Sequence, residues 1–159
     1  MDLRGQPAAG GRRFAIVASR FNELVTERLL AGARACLQNH GVASGDVDVI
    51  SVPGAWELPI AAKLAADTRQ YGAIIALGCV IRGDTPHFDY VAGPAAEGLA
   101  RVSLAAGIPV AFGVLTTEDT AQALARAGGR EGNKGWDAAL TALEMADLAA
   151  RLEGQHSRT

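Results

Sequence analysis

Four short turns hold most of the side chains in this sequence that could do chemistry. They read Ser19-Arg20-Phe21-Asn22, Pro53-Gly54-Ala55-Trp56-Glu57, Cys79 through Phe88, and Thr116-Thr117-Glu118. The chain has only four Phe, two Trp and two Tyr, and Phe21, Trp56, Phe88 and Tyr90 fall in or beside these turns. Aromatics gathered there suit stacking on a flat ring, or simple packing under loops. His87 is one of three histidines and sits in a loop, where it suits proton transfer or a plain polar surface. Glu57 suits either a helix N-terminus or acceptance of a ligand N–H. The turn Gly83-Asp84-Thr85 offers a hydroxyl and backbone N–H groups. The run RAGGREGNKG at 126–135 combines Arg126, Arg130 and Lys134 with closely spaced glycines. It reads as an anion-binding loop or as a solvated connection.

Each turn follows a segment that must position it. RFAIVA (13–18), VDVISV (47–52), AIIALGCV (73–80) and PVAFGVL (109–115) are near-continuous apolar runs. Such runs suit parallel strands covered on both faces. Between them, 23–40 places Leu24, Val25, Leu29, Leu30, Ala33, Cys36 and Leu37 on one face at helical spacing. His40-Gly41 ends that helix, with His40 facing the helix dipole. Residues 57–70, 89–106 and 118–127 read as further helices. A last helix spans 136–152, with Leu140, Leu143, Ala146, Leu148 and Leu152 inward. Strands alternating with helices demand an α/β parallel sheet covered on both sides, with ligands at the strands' carboxyl ends.

The 159 residues suit a single domain over 13–153, with a flexible N-terminal arm at 1–12 and a polar C-terminal tail at 154–159. The composition is 49% hydrophobic and 20% charged, enough apolar material to exclude disorder as the main state. Fifteen Lys and Arg against 17 Asp and Glu is a poor balance for holding nucleic acid. No apolar run suits a membrane span or a secretory signal. Cys36 and Cys79 form no metal or redox spacing, and a reduced, cytoplasmic setting is the default. Neither GxxxxGK[ST] nor GxGxxG occurs, which argues against triphosphate and dinucleotide enzymes. The abundance of alanine favours helix but leaves each buried residue contributing little, a shortfall that oligomerisation would offset.

Five segments together resemble the 6,7-dimethyl-8-ribityllumazine synthase family of riboflavin biosynthesis. They are RFN (20–22), VPGAWELP (52–59), LGCVIRGDTPHFDYV (77–91), PVAFGVLTTE (109–118) and RAGGREGNKG (126–135). The resemblance implies a flavodoxin-like three-layer sandwich, with a four-stranded parallel sheet flanked by helices. It implies condensation of 5-amino-6-(D-ribitylamino)uracil with 3,4-dihydroxy-2-butanone 4-phosphate, with no metal or organic cofactor. By motif, Phe21 would stack on the pyrimidine. Ala55, Trp56 and Glu57 would line the ribityl and pyrimidine pocket, and Cys79, Val80 and Ile81 would offer main-chain contacts to the uracil. Phe112 would close the site from a neighbouring chain. Asp84 and Thr85 would hold the phosphate with Arg126, from the adjacent subunit or the same one. His87 would move protons, with Asn22 and Lys134 in supporting places.

The resemblance also implies pentamers, with active sites between subunits. It favours twelve such pentamers closed into a shell, with riboflavin synthase as a possible partner. Three departures stand out. Asp84 sets an anion beside the phosphate site, so its carboxylate must point away. Trp56 is bulkier than the Phe or Leu that would fit its place. The loop Gly128-Gly129-Arg130-Glu131-Gly132 carries Arg where shell-forming members resemble Lys.

Overall fold

A computed structural model describes residues 1–156. Four parallel strands, β1 (Phe14–Ser19), β2 (Val47–Val52), β3 (Ala73–Ile81) and β4 (Val110–Thr117), lie in the order β2-β1-β3-β4. Helices α1 (Glu23–Asn39), α2 (Leu58–Asp67) and α3 (His87–Ala106) make the crossovers, and α4 (Thr120–Ala125) and α5 (Lys134–His156) follow the last strand. This is the flavodoxin-like α/β arrangement expected from the alternation of runs.

Strand periodicity divides the core. Phe14, Ile16, Ile75 and Leu77 pack under α1 and α5, while Ala15, Val17, Ile74 and Ala76 pack under α2 and α3. Every residue of β1 is buried, which explains its unbroken apolar run. Leu77 is fully buried at the centre, and truncating it to Ala would cost about 2–5 kcal/mol. Small residues let the layers approach closely. A Cβ on Gly135 would collide with the Leu29 carbonyl, so this glycine sets the contact between α1 and α5.

Several sequence expectations shift. His87 is the first residue of α3 rather than part of a loop, because Pro86 holds φ at −71° as the N-cap and starts the helix early. The second helix begins as a 3₁₀ turn over Ala55–Glu57 before α2. The run 126–135 forms a small antiparallel ribbon, β5 (Ala127–Gly129) with β6 (Gly132–Asn133), leading directly into α5. Leu24 and Leu152, expected inward, are 59% and 51% exposed. Leu24 lies in the first turn of α1 and Leu152 in the last turns of α5, and neither joins the core clusters. Leu30, Leu140 and Leu148 are half-buried.

At the N-terminus, Gly5 is buried against the carbonyl of Glu144. The Gln6 N–H donates to Asp147 Oδ2 at 2.8 Å, and Arg12 and Arg151 reach the same carboxylate at 3.4 and 2.8 Å. Residues 154–156 continue α5, and the rest of the expected tail, 157–159, lies outside the described residues.

Candidate active site

The chain reverses direction across the sheet between β1 and β3. From β1 it passes outward to β2, then crosses back to β3 on the other side. A hollow of about 730 Å³ opens at the carboxyl ends of these strands, where the diverging connections leave space.

Its floor comes from β3, which runs on to Ile81 after its last pairing with β1 at Leu77–Ala18. The extra residues keep β4 as a partner on one side only. The Arg82 N–H donates to Thr117 on the β4 side, whereas the Cys79 carbonyl accepts from Asn22 Nδ2 at 2.9 Å on the other. By strand alternation the main-chain groups of Ile81 face the same open side as those of Cys79. These polar groups lie at the base of a hollow walled largely by apolar side chains.

The walls are set by local turn chemistry. The Phe21 N–H donates to the Pro53 carbonyl at 3.0 Å, tying the first turn to the second. Asn22 adopts the left-handed conformation (φ 63°), which asparagine tolerates better than most residues, and this turns its amide towards Cys79. Glu57 Oε2 accepts from the Gly54 N–H at 3.0 Å and closes the 3₁₀ turn that presents Trp56. Phe21 and Trp56 are 72% and 60% exposed, and both line the hollow. Two large, exposed aromatic side chains on facing turns offer plates for a flat heterocycle. Thr85 and His87 stand at the other rim, where the His87 N–H donates weakly to Thr85 Oγ1 at 3.4 Å. The Cys79 side chain packs in the core layer with Leu29 and Leu115, and burial pushes its thiol pKa up to about 11, which keeps it protonated at neutral pH.

A second hollow of about 420 Å³ lies along the outer edge of β4. Phe112 and Thr116 form one side, and Arg126, Glu131, Lys134 and Asp137 the other. Two caps hold this wall. Asp119 Oδ1 accepts from the Gln122 N–H at 2.8 Å and starts α4, and the carbonyl of Gln122 accepts from Arg126 Nη1 at 3.1 Å. Asn133 Oδ1 accepts from the N–H groups of Gly135 and Trp136 at 2.8 and 3.1 Å and starts α5 beside Lys134. Arg126 is exposed, with a cationic fork of the kind that grips phosphate.

The sequence profile of the 6,7-dimethyl-8-ribityllumazine synthase family matches residues 11–150. The 6,7-dimethyl-8-ribityllumazine synthase of Desulfatibacillum aliphaticivorans is 50% identical over 151 residues, covering 95% of this chain and 97% of its own. That of Chlorobium luteolum is 51% identical over 147 residues, covering 92% and 95%. The chain belongs to the 6,7-dimethyl-8-ribityllumazine synthase family. Membership makes it an enzyme of the transferase class and places it in riboflavin biosynthesis.

Of the residues singled out from the lumazine synthase motifs, ten line the large hollow: Phe21, Asn22, Ala55, Trp56, Glu57, Cys79, Val80, Ile81, Thr85 and His87. Phe112, Arg126 and Lys134 line the β4-edge hollow instead, so one chain does not gather them with His87. Asp84 is exposed and lines neither, although Gly83 and Thr85 on either side face the large hollow. The motif reading assigned no role to Phe88, Tyr90 and Val91, which line the large hollow, or to Asn133. Tyr90 and Val91 follow His87 by three and four residues, a helical spacing that puts them on its side of α3. An Asn just before a helical run is a cap signal that reveals Asn133. Among the described residues, no cluster of three or more His, Cys, Asp or Glu suits a metal, and no helix is long and apolar enough to cross a membrane.

Proposed function

We propose that this chain condenses 5-amino-6-(D-ribitylamino)uracil with 3,4-dihydroxy-2-butanone 4-phosphate to 6,7-dimethyl-8-ribityllumazine in the cytoplasm, releasing phosphate and water. The observation that carries the proposal is the division of labour between the two hollows. One offers aromatic plates, open main-chain groups and an imidazole; the other offers a guanidinium, an ammonium and an exposed aromatic ring. In the proposed assembly, the large hollow of one subunit faces the β4-edge hollow of its neighbour, and together they form one site.

Phe21 and Trp56 hold the pyrimidine, and the main-chain groups of Cys79 and Ile81 read its polar edge. The 5-amino group attacks the ketone, and loss of water gives an imine. His87 carries the protons this step requires. Elimination of phosphate needs fixed positive charge, which the neighbour's Arg126 supplies as a fork and Lys134 as a point charge. Thr85 and the backbone N–H groups of the Gly83-Asp84-Thr85 turn hold the phosphate from the near side, with the Asp84 carboxylate outside the site. Loss of the C3 proton expels phosphate from C4 and leaves an enol, which tautomerises to a new carbonyl at C3 and a methyl group at C4. The ribitylamino nitrogen attacks that carbonyl, and loss of a second water closes the ring. Much of the acceleration comes from holding two competent reactants together.

The exposed surface supports an assembly. Only Ala95 and Leu99 of the 20 residues of α3 are buried, while Tyr90 and Leu104 are 71% and 86% exposed. A helix this poorly covered calls for a neighbouring chain. A pentamer, closed into a shell around riboflavin synthase, is the fullest form of the proposal. Sedimentation distinguishes a shell from free pentamers. The activity is tested by supplying both substrates and following the lumazine's absorbance and fluorescence. A rate well above the spontaneous reaction is expected, and a rate equal to it at micromolar protein excludes the proposed activity.

A further inference from the structure

The carboxyl end of β3 carries a cation, Arg82, that lines neither of the two hollows described above. The Arg82 N–H donates to the Thr117 carbonyl at 2.9 Å and extends the pairing of β3 with β4. Its side chain then bridges two elements. Nε lies 3.0 Å from Glu118 Oε2, just past the end of β4, and Nη2 lies 3.7 Å from Asp89 Oδ1 in the first turn of α3. The guanidinium carbon sits 4.3 Å from the centroid of the Phe88 ring, in cation–π contact. Phe88 itself lines the large hollow, next to His87.

We infer that Arg82 is a positioning residue: it clamps the start of α3 to the end of β4 and so fixes where His87 stands above the site. The inference rests on the proton-transfer role proposed for His87. Two carboxylates already balance the guanidinium charge, so it serves the fold of the rim rather than a substrate anion. The bridge also spans the four residues from Gly83 to Pro86, all exposed, which have few other anchors. Only a planar fork can meet Glu118, Asp89 and the ring face at once. The pairs themselves are solvent-exposed, with Arg82 at 41% and its acidic partners at 64% and 63%, so they add little to overall stability. Loss of the clamp should therefore appear in turnover while the fold survives.

The experiment is a double-mutant cycle on the assembled enzyme, using Arg82→Met, His87→Ala and the pair. Arg82→Met is expected to lower kcat about tenfold, with KM for both substrates and the melting temperature near those of the parent. The double variant is expected to be no slower than His87→Ala alone, because a misplaced imidazole and a missing one lose the same contribution. Multiplying losses in the double variant, or a rise in KM for the phosphorylated substrate at unchanged kcat, would overturn the positioning role. An unchanged rate for His87→Ala would overturn the His87 reading and this inference together. If Arg82→Met does not assemble, Glu118→Gln removes one arm of the clamp. It is expected to give about a threefold loss in kcat with the same non-additivity, and additive behaviour would count against the inference.

Discussion

The two hollows differ in almost every property. The one at the β1–β3 divergence is broad and walled by aromatics, with an imidazole at its rim and few charges. The one along β4 is smaller and edged by Arg126 and Lys134 on one side of an exposed Phe112. Neither alone has what the proposed condensation requires. The first can hold a flat ring but has no free fixed cation for a leaving phosphate, and the second has the cations but no imidazole. On the proposed chemistry, the contrast puts its two halves on different faces of the chain, and copies of the chain must meet to unite them.

The comparison can be broken at either half. Arg126→Ala is expected to have the largest effect, about 10³-fold in kcat/KM, concentrated on the phosphorylated substrate. Steady-state kinetics with each substrate varied in turn would show it, and an equal loss for both would blur the assignment. His87→Ala is expected to cost less, about 10²-fold in kcat, because the amine is already a nucleophile and water can carry protons slowly. Trp56→Phe should change the rate only a few-fold and act mainly on KM for the pyrimidine substrate, since a smaller plate still stacks.

A polar cluster that lines neither of the two hollows sharpens the contrast. There the Tyr71 hydroxyl and the Arg13 guanidinium both meet Asp48 Oδ2 at 2.6 Å and hold its carboxyl below the usual carboxylate range. A lowered native pKa contributes stability that is present above the ordinary value and lost as the pH falls through the lowered one. Asp48→Asn should flatten the acid side of the melting-temperature profile and leave kcat unchanged. The least visible outcome concerns the thiols. Burial pushes both Cys36 and Cys79 up to about 11, with Asp137 adding to the effect at Cys36. Neither should react with iodoacetamide at pH 8 in the folded protein, and mass spectrometry should find both alkylated only after denaturation.

Much of the architecture was legible in the sequence because strand runs buried on both faces leave an unbroken apolar signature, as in Phe14–Ser19 and Ala73–Val80. Helix ends were less legible. Pro86 began α3 at His87, and the glycine-rich stretch 126–135 folded into a ribbon, since local turn geometry decides such places. The turn residues of the large hollow could be named from chain order, because they follow the strands that present them. The separation of Arg126 and Phe112 from His87 does not follow from chain order, because it depends on β4 lying at the edge of the sheet. For Phe112 it came only from the family resemblance, and for Arg126 the resemblance left the same subunit and the adjacent one both open. Leu24 and Leu152 misled because periodicity marks a face without saying how far the core extends along it.

The central claim is that one site is assembled from two chains, and subunit mixing tests it most directly. His87→Ala and Arg126→Ala chains would be unfolded together, refolded as a mixture and assayed for lumazine formation. Random pairing at equal amounts restores both intact halves at about one interface in four, so activity should rise to roughly a quarter of the parent's. Mixed assemblies, verified by mass spectrometry, that remain no more active than the two parent variants would contradict the shared site.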